Sequence, residues 1–222
     1  MVTMPRPQPG GRSAATRARL LATAERLIAE DGVAQVSSRR LGQEAGQANN
    51  SAVAYHVGTM EEVILAVLRQ HGEAMDRIRA GMVDAAEGST ELRDHVAALV
   101  LPTTLHLAEL GVPSYYARFA AHVVSDPALR ATALSVTTST PVMQRALLAV
   151  AAHAGDAAGP TILTRSAMAR HAIIHTCAER EAELAEAGNR SGIPGWAETG
   201  EILVDGITVL LAAPPVRRTA GS

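Results

Sequence analysis

The first clear apolar pattern along the chain is Leu20, Leu21, Ala24, Leu27 and Ile28. Its i, i+1, i+4, i+7, i+8 spacing is one buried face of a helix, and it predicts a helix over about 14–31, closed by Gly32. Leu41 and Ala45, four apart, predict a short helix over 37–45. Gly42 lets a crossing helix approach it, and Gly46 stops it in a conformation that glycine adopts at little steric cost. Asn49, Asn50 and Ser51 supply N-cap chemistry ahead of Val53 and Val57, so a third helix is expected over 50–57. Thr59-Met60-Glu61-Glu62 is a capping sequence. It opens a long helix with Val63, Val67, Met75, Ile78 and Met82 on its apolar side, broken at Glu87-Gly88-Ser89. Further helices are expected over 89–110 with a kink at Pro102, 113–124, 127–134, 141–154 restarting at Thr140-Pro141, 160–187 and 196–212. The polar, β-branched run Ser135–Pro141 reads as a loop. The expected fold class is all-α.

Composition fits this reading. The 222 residues are 47% hydrophobic but only 2% aromatic, so the core is built from Leu, Val, Ile and Ala, which favours helices over strands. Net charge is −2, yet it is unevenly placed. Residues 1–58 carry seven arginines against four acids, while 59–222 carry thirteen against eighteen. Every basic residue is arginine, so phosphate contacts fall to forked guanidinium groups. A basic amino-terminal module on an acidic body fits a DNA reader attached to something else. The single cysteine, Cys177, gives no disulfide framework, and no signal-like or membrane-spanning apolar run is present, so a soluble, cytoplasmic protein is expected.

Residues 37–57 then carry the functional signal, two short helices joined by a tight turn. Arg39, Arg40, Asn49, Asn50, Ser51, Tyr55 and His56, with Ser38 and Gln47, form a candidate DNA face. Arginine pairs bidentately with guanine and asparagine with adenine in the major groove. The plainer alternative is that Asn49 and Ser51 only cap a helix and the arginines are solvated. Three collinear blocks sharpen the picture: TRARLLATAERLIAEDG (Thr16 to Gly32), SSRRLGQEAG (Ser37 to Gly46) and YHVGTMEEVILAVL (Tyr55 to Leu68). In order and spacing they resemble the TetR family of transcriptional regulators. That resemblance implies that Ser37, Ser38 and Arg39 fall at positions contacting phosphate or base, and that Tyr55 and His56 end the recognition helix near the DNA backbone. Position 54 is Ala where many members carry a phosphate-contacting Tyr.

The acidic body offers a second candidate site. Tyr115, Tyr116, Phe119 and His122 are the densest aromatic and imidazole cluster, with Leu101, Leu105 and His106 on the preceding helix. Ordinary core packing explains them as well as a ligand cavity does; the resemblance favours the cavity, because family members bind an effector in this region. His171 and His175, four apart, have a metal-like spacing without companion ligands, and no metal or other cofactor is expected. No phosphate-cradling loop, nucleophile elbow or catalytic triad spacing appears, so an enzyme is not expected.

The expectation is thus a three-helix module with a helix-turn-helix over 13–58 and a larger helical ligand-binding and dimerisation domain over 59–213. Tails at 1–12 and 214–222 complete the chain. The partners expected are a palindromic double-stranded DNA operator, a small, largely apolar effector and a second copy of the chain, and no membrane. The interface would use 160–187 and 196–212, with Ile174 and Leu210 on it. A regulator controlled without a ligand, as an activator or through a protein partner, is the alternative.

Overall fold

The structure is a computed structural model, and it describes residues 9–46, 55–154, 159–187 and 194–214. The described residues form nine α-helices and a short 3-10 turn, with no strand among them. These are α1 (Pro9–Asp31), α2 (Ser38–Glu44), α3 (Met60–Ala85), α4 (Leu92–Leu110), α5 (Tyr116–Ser125), α6 (Arg130–Thr138), α7 (Pro141–His153), α8 (Pro160–Ala187) and α9 (Trp196–Ala212). Residues 55–57 are also helical and lead into α3.

Local chemistry sets most boundaries. Gly32 ends α1 with φ 83°, and Ser37 caps α2 by accepting a hydrogen bond from the Arg40 amide. Gly58 has φ 80°, and a Cβ there would run into the Glu62 carboxylate. Only glycine suits that joint. The capping box beside it is complete in both directions. The Thr59 amide donates to Glu62 Oε2 at 2.7 Å, and the Glu62 amide to Thr59 Oγ1 at 3.2 Å. These bonds hold the Glu62 carboxyl below the usual carboxylate range.

Three differences from the sequence pattern have physical reasons. The helix α1 starts at Pro9 rather than near 14; Gly10 and Gly11, poor helix formers, hid its first turn. The run at 135–138 is helical, extending α6 to Thr138. There Thr137 and Thr138 turn their hydroxyls back to the Ala133 and Leu134 carbonyls at 2.9 and 2.7 Å, which satisfies polar groups within the helix. In the second half of α3 the buried stripe runs Met75, Arg79, Val83, leaving Ile78 and Met82 only half-buried. Arg79 is 2% exposed and is accommodated by an ion pair with Asp76 one turn earlier.

A continuous apolar cluster runs from Leu20 of α1 to Leu211 of α9. Helix α4 packs on α9, α3 and α7, whereas α5 packs on both α8 and α1. Helices α5 and α3 both pack on α1, joining it to the body. On α8 and α9 the exposed apolar side chains are Leu163, Met168, Ile202 and Val209. Ile174 lines the cavity described below, and Leu210 is half-buried against the core.

Candidate functional site

The amino-terminal surface sorts its arginines into two groups. Arg26 is tied to Glu30 and Glu44 at 2.9 and 3.2 Å, and Arg40 to Asp31 at 2.6 Å and to the Gln35 carbonyl. These brace α1 against α2. Arg17, Arg19 and Arg39 are exposed and make no ion pair or side-chain hydrogen bond among the described residues. Ser38 is exposed in the first turn of α2, and Tyr55 is 84% exposed. His56 is half-buried, its Nδ1 lying 3.4 Å from Ser13 Oγ, which sets the start of α1 beside residues 55–57. Arg17 is one turn after Ser13 on the same face of α1. Of the expected DNA-face residues, Ser38, Arg39 and Tyr55 stand free and Arg40 is engaged within the fold. Gln47, Asn49, Asn50 and Ser51 lie outside the described residues. Arg17 and Arg19 were not among the expected site residues. Their signal in the sequence was their place just upstream of the buried stripe that begins at Leu20.

The body encloses a cavity of about 410 Å³. Helix α3 contributes Leu68 and Met75, α4 Leu99, Thr103 and Leu107, and α5 Tyr116, Ala117, Ala120 and Val124. Its far wall comes from α6, α7 and α8, including Leu134, Thr137, Leu147, Ser166, Arg170, Ile173 and Cys177. Tyr116 is the one expected ligand-site residue on this wall. Leu101, Leu105, His106, Tyr115, Phe119 and His122 are not on it. Phe119 is fully buried in the core, and Leu105 is 42% exposed. His122 sits against Gly32, where an added Cβ would lie 3.5 Å from its Nδ1. The reason is helical phase, since 116, 117, 120 and 124 share a face of α5 that 119 and 122 do not. A neighbouring cleft shares Leu68, Met75, Thr137 and Met143 with the cavity and adds Arg69, Glu73, Asp76 and Arg79.

Between surface and cavity lies a buried polar chain. His71 Nε2 is 3.0 Å from Glu25 Oε2 on α1, and His71 Nδ1 is 2.7 Å from His106 Nε2 on α4. The carboxylate accepts, so His71 donates through Nε2, and the two rings share one proton between His71 Nδ1 and His106 Nε2. His106 Nδ1 has no partner among the described residues. Burial, and next His71, hold the His106 imidazole below its ordinary range. The His71 ring stacks on Tyr116 with centroids 3.9 Å apart, so one of its faces covers a cavity residue while its edge binds α1. Burial pushes the Tyr116 phenol above its usual range.

The start of α5 is held from α8. Glu181, 2% exposed, accepts from Ser114 Oγ at 2.9 Å and from the Ala117 and Arg118 amides at 3.1 and 3.0 Å. The Arg118 guanidinium adds a further bond at 3.1 Å. A carboxylate at these amides satisfies orphan donors of a helix N-terminus and complements its dipole.

No family model matches the chain, and no curated protein does. It is similar to a solved structure, that of the multidrug binding protein EbrR complexed with ethidium. The identity is 21%, 88% of this chain and 97% of that one are covered, and the TM-score is 0.45. A likeness at that level says nothing of what this chain binds. Among the described residues, no helix is long and apolar enough to cross a membrane, and no three His, Cys, Asp or Glu residues gather as a metal site. His171 and His175 lie edge to face, 5.7 Å between centroids.

Proposed function

We propose that the chain is a transcriptional repressor of the TetR type that binds a palindromic operator as a homodimer and releases it when a small molecule fills the cavity. One observation carries this reading. Helix α1 and an apolar cavity are joined by a continuous hydrogen-bonded and stacked chain, Glu25–His71–Tyr116. Residues 13–58 act as the DNA-binding domain, with Arg39, Ser38 and Tyr55 at the duplex and Arg17 and Arg19 adding phosphate contacts. Asn49 and Asn50 read base edges. Leu163, Met168, Ile202 and Val209 are the apolar anchors of a two-fold interface in which α8 and α9 meet their symmetry mates.

The switch follows from the packing. A ligand that displaces Tyr116 moves the stacked His71, and His71 is bonded to α1. The same ligand presses on α5, which packs directly against α1. A coupling of ~1–3 kcal/mol releases DNA by roughly 5–150-fold, provided the ligand favours the DNA-incompetent arrangement by that much. The ethidium of EbrR does not carry over to this chain. Among the described residues, a flat aromatic cation would meet a single aromatic ring in this wall, Tyr116, and no carboxylate.

Duplex binding by the full chain tests the proposal. Affinity should fall steeply with salt, because each phosphate contact releases counterions. Arg39→Ala should weaken specific binding by ~1–3 kcal/mol, and Arg17→Ala should lower the salt slope by about one while weakening all sequences alike. Binding that ignores salt, or both variants matching the parent chain, contradicts the assignment.

A further inference from the structure

The cavity wall is uneven in charge. Among the described residues, the wall holds no aspartate or glutamate and one arginine, Arg170 of α8. Tyr116 and Cys177, the other acid-base groups on the wall, are both held neutral by burial, the Cys177 thiol pushed up to about 12. Arg170 is half-buried and makes no ion pair or hydrogen bond among the described residues. Every other arginine on α8 among the described residues is engaged: Arg165 donates to the Ala213 and Pro214 carbonyls, and Arg180 pairs with Glu183 at 2.7 Å. Ser166 lies one turn before Arg170 on the same wall, likewise without a hydrogen-bond partner among the described residues. Both line the same cavity from α8, one a guanidinium and the other a hydroxyl donor. The acids of the adjoining cleft do not serve Arg170; Asp76 there is paired with Arg79.

Polarity falls along α8 from that point. Ser166 is exposed and Arg170 half-buried, then come Ile173 and Ile174, and Cys177 is 2% exposed. Seven residues of helix from Arg170 to Cys177 span about 10 Å. Tyr116, the first member of the chain leading to α1, lines the same cavity from α5. We propose that the cavity takes an unbranched, apolar monocarboxylate, its carboxylate on Arg170 and Ser166 and its hydrocarbon tail directed toward Cys177 and Tyr116. A half-buried arginine without an ion pair lacks a counter-ion, and a carboxylate meets it with paired, charge-assisted hydrogen bonds. The inference rests on the proposed role of the cavity as the effector site, and it assigns the chemical class of that effector.

Calorimetric titration of the full chain in the absence of DNA tests it with three probes of equal tail length: decanoate, decanol and decyltrimethylammonium. Decanoate should bind at least tenfold tighter than decanol, with the cation weakest. Octanoate should bind more weakly than decanoate by roughly fourfold for each methylene lost. In Arg170→Gln the acid should lose its advantage while decanol affinity stays within about twofold. A cation or alcohol binding as tightly as decanoate overturns the inference, as does the absence of binding by all three. Retention of the acid preference in Arg170→Gln overturns it too. The three-probe ranking needs only the unsubstituted chain, so it holds even where the variant does not fold. Because no DNA is present, failure here leaves operator binding to stand or fall by its own assay.

Discussion

Replacing Glu181 by leucine should destabilise the fold by ~3–5 kcal/mol, the cost of stranding the other half of a buried charged network. For a chain of this size that is a fall of roughly 10 °C in the unfolding midpoint. The loss has two sources. The Ala117 and Arg118 amides and the Ser114 hydroxyl are left without their acceptor, and the Arg118 side chain without its counter-charge. A second substitution, Arg118→Met, should recover part of the loss by removing the stranded charge, whereas Glu181→Gln, which keeps an acceptor oxygen, should cost about half as much. Thermal unfolding followed by circular dichroism measures all three. A leucine variant within about 1 kcal/mol of the parent would mean that Glu181 does not hold the start of α5.

The second large effect contrasts two adjacent positions of α5. Phe119 is fully buried and packs beside Tyr116 at 6.3 Å between centroids, away from the cavity, while Ala120 lines it. Phe119→Ala should therefore cost ~3–5 kcal/mol, as deletions of buried aromatic rings do. Ala120→Val adds atoms into open space and should stay within about 1 kcal/mol of the parent, since no packed neighbour has to move. Denaturant titration of both variants checks the pair. Equal costs at the two positions, or a larger cost at 120, would place the cavity on the wrong face of α5.

What could be read from the sequence was local. The Thr59–Glu62 capping box, the cap at Thr140 before Pro141 and the break at Gly88 each depend on residues within four positions of one another. All three appear as expected. Long helices with a clear stripe were equally legible, and 160–187 and 196–212 match to the residue. The candidate ligand site was read less well because its wall is assembled from seven helices. Proximity of Tyr115, Tyr116, Phe119 and His122 in sequence could not say which of them share the phase that faces it. Glu181 illustrates the same limit. In the stretch AEREAEL it has the appearance of one more solvated acid, yet its partners lie 63 to 67 residues away. His71 and Glu25 are separated by 46 residues, so the chain that joins α1 to the cavity left no mark in either neighbourhood. The proposed DNA surface stands between these cases. Arg39 and Arg40 are adjacent, and only the placement of Asp31 shows that Arg40 is spoken for and Arg39 is not.

The central claim is that two copies of the helix-turn-helix surface read one DNA site, and selection of the full chain against a pool of random duplexes tests it most directly. One module reaches only a few base pairs, so specific binding requires two of them, on half-sites about one helical turn apart. The account predicts enrichment of an inverted repeat with that spacing, bound as two chains per duplex. Enrichment of no common sequence, or of a single unrepeated site bound by one chain, would contradict it.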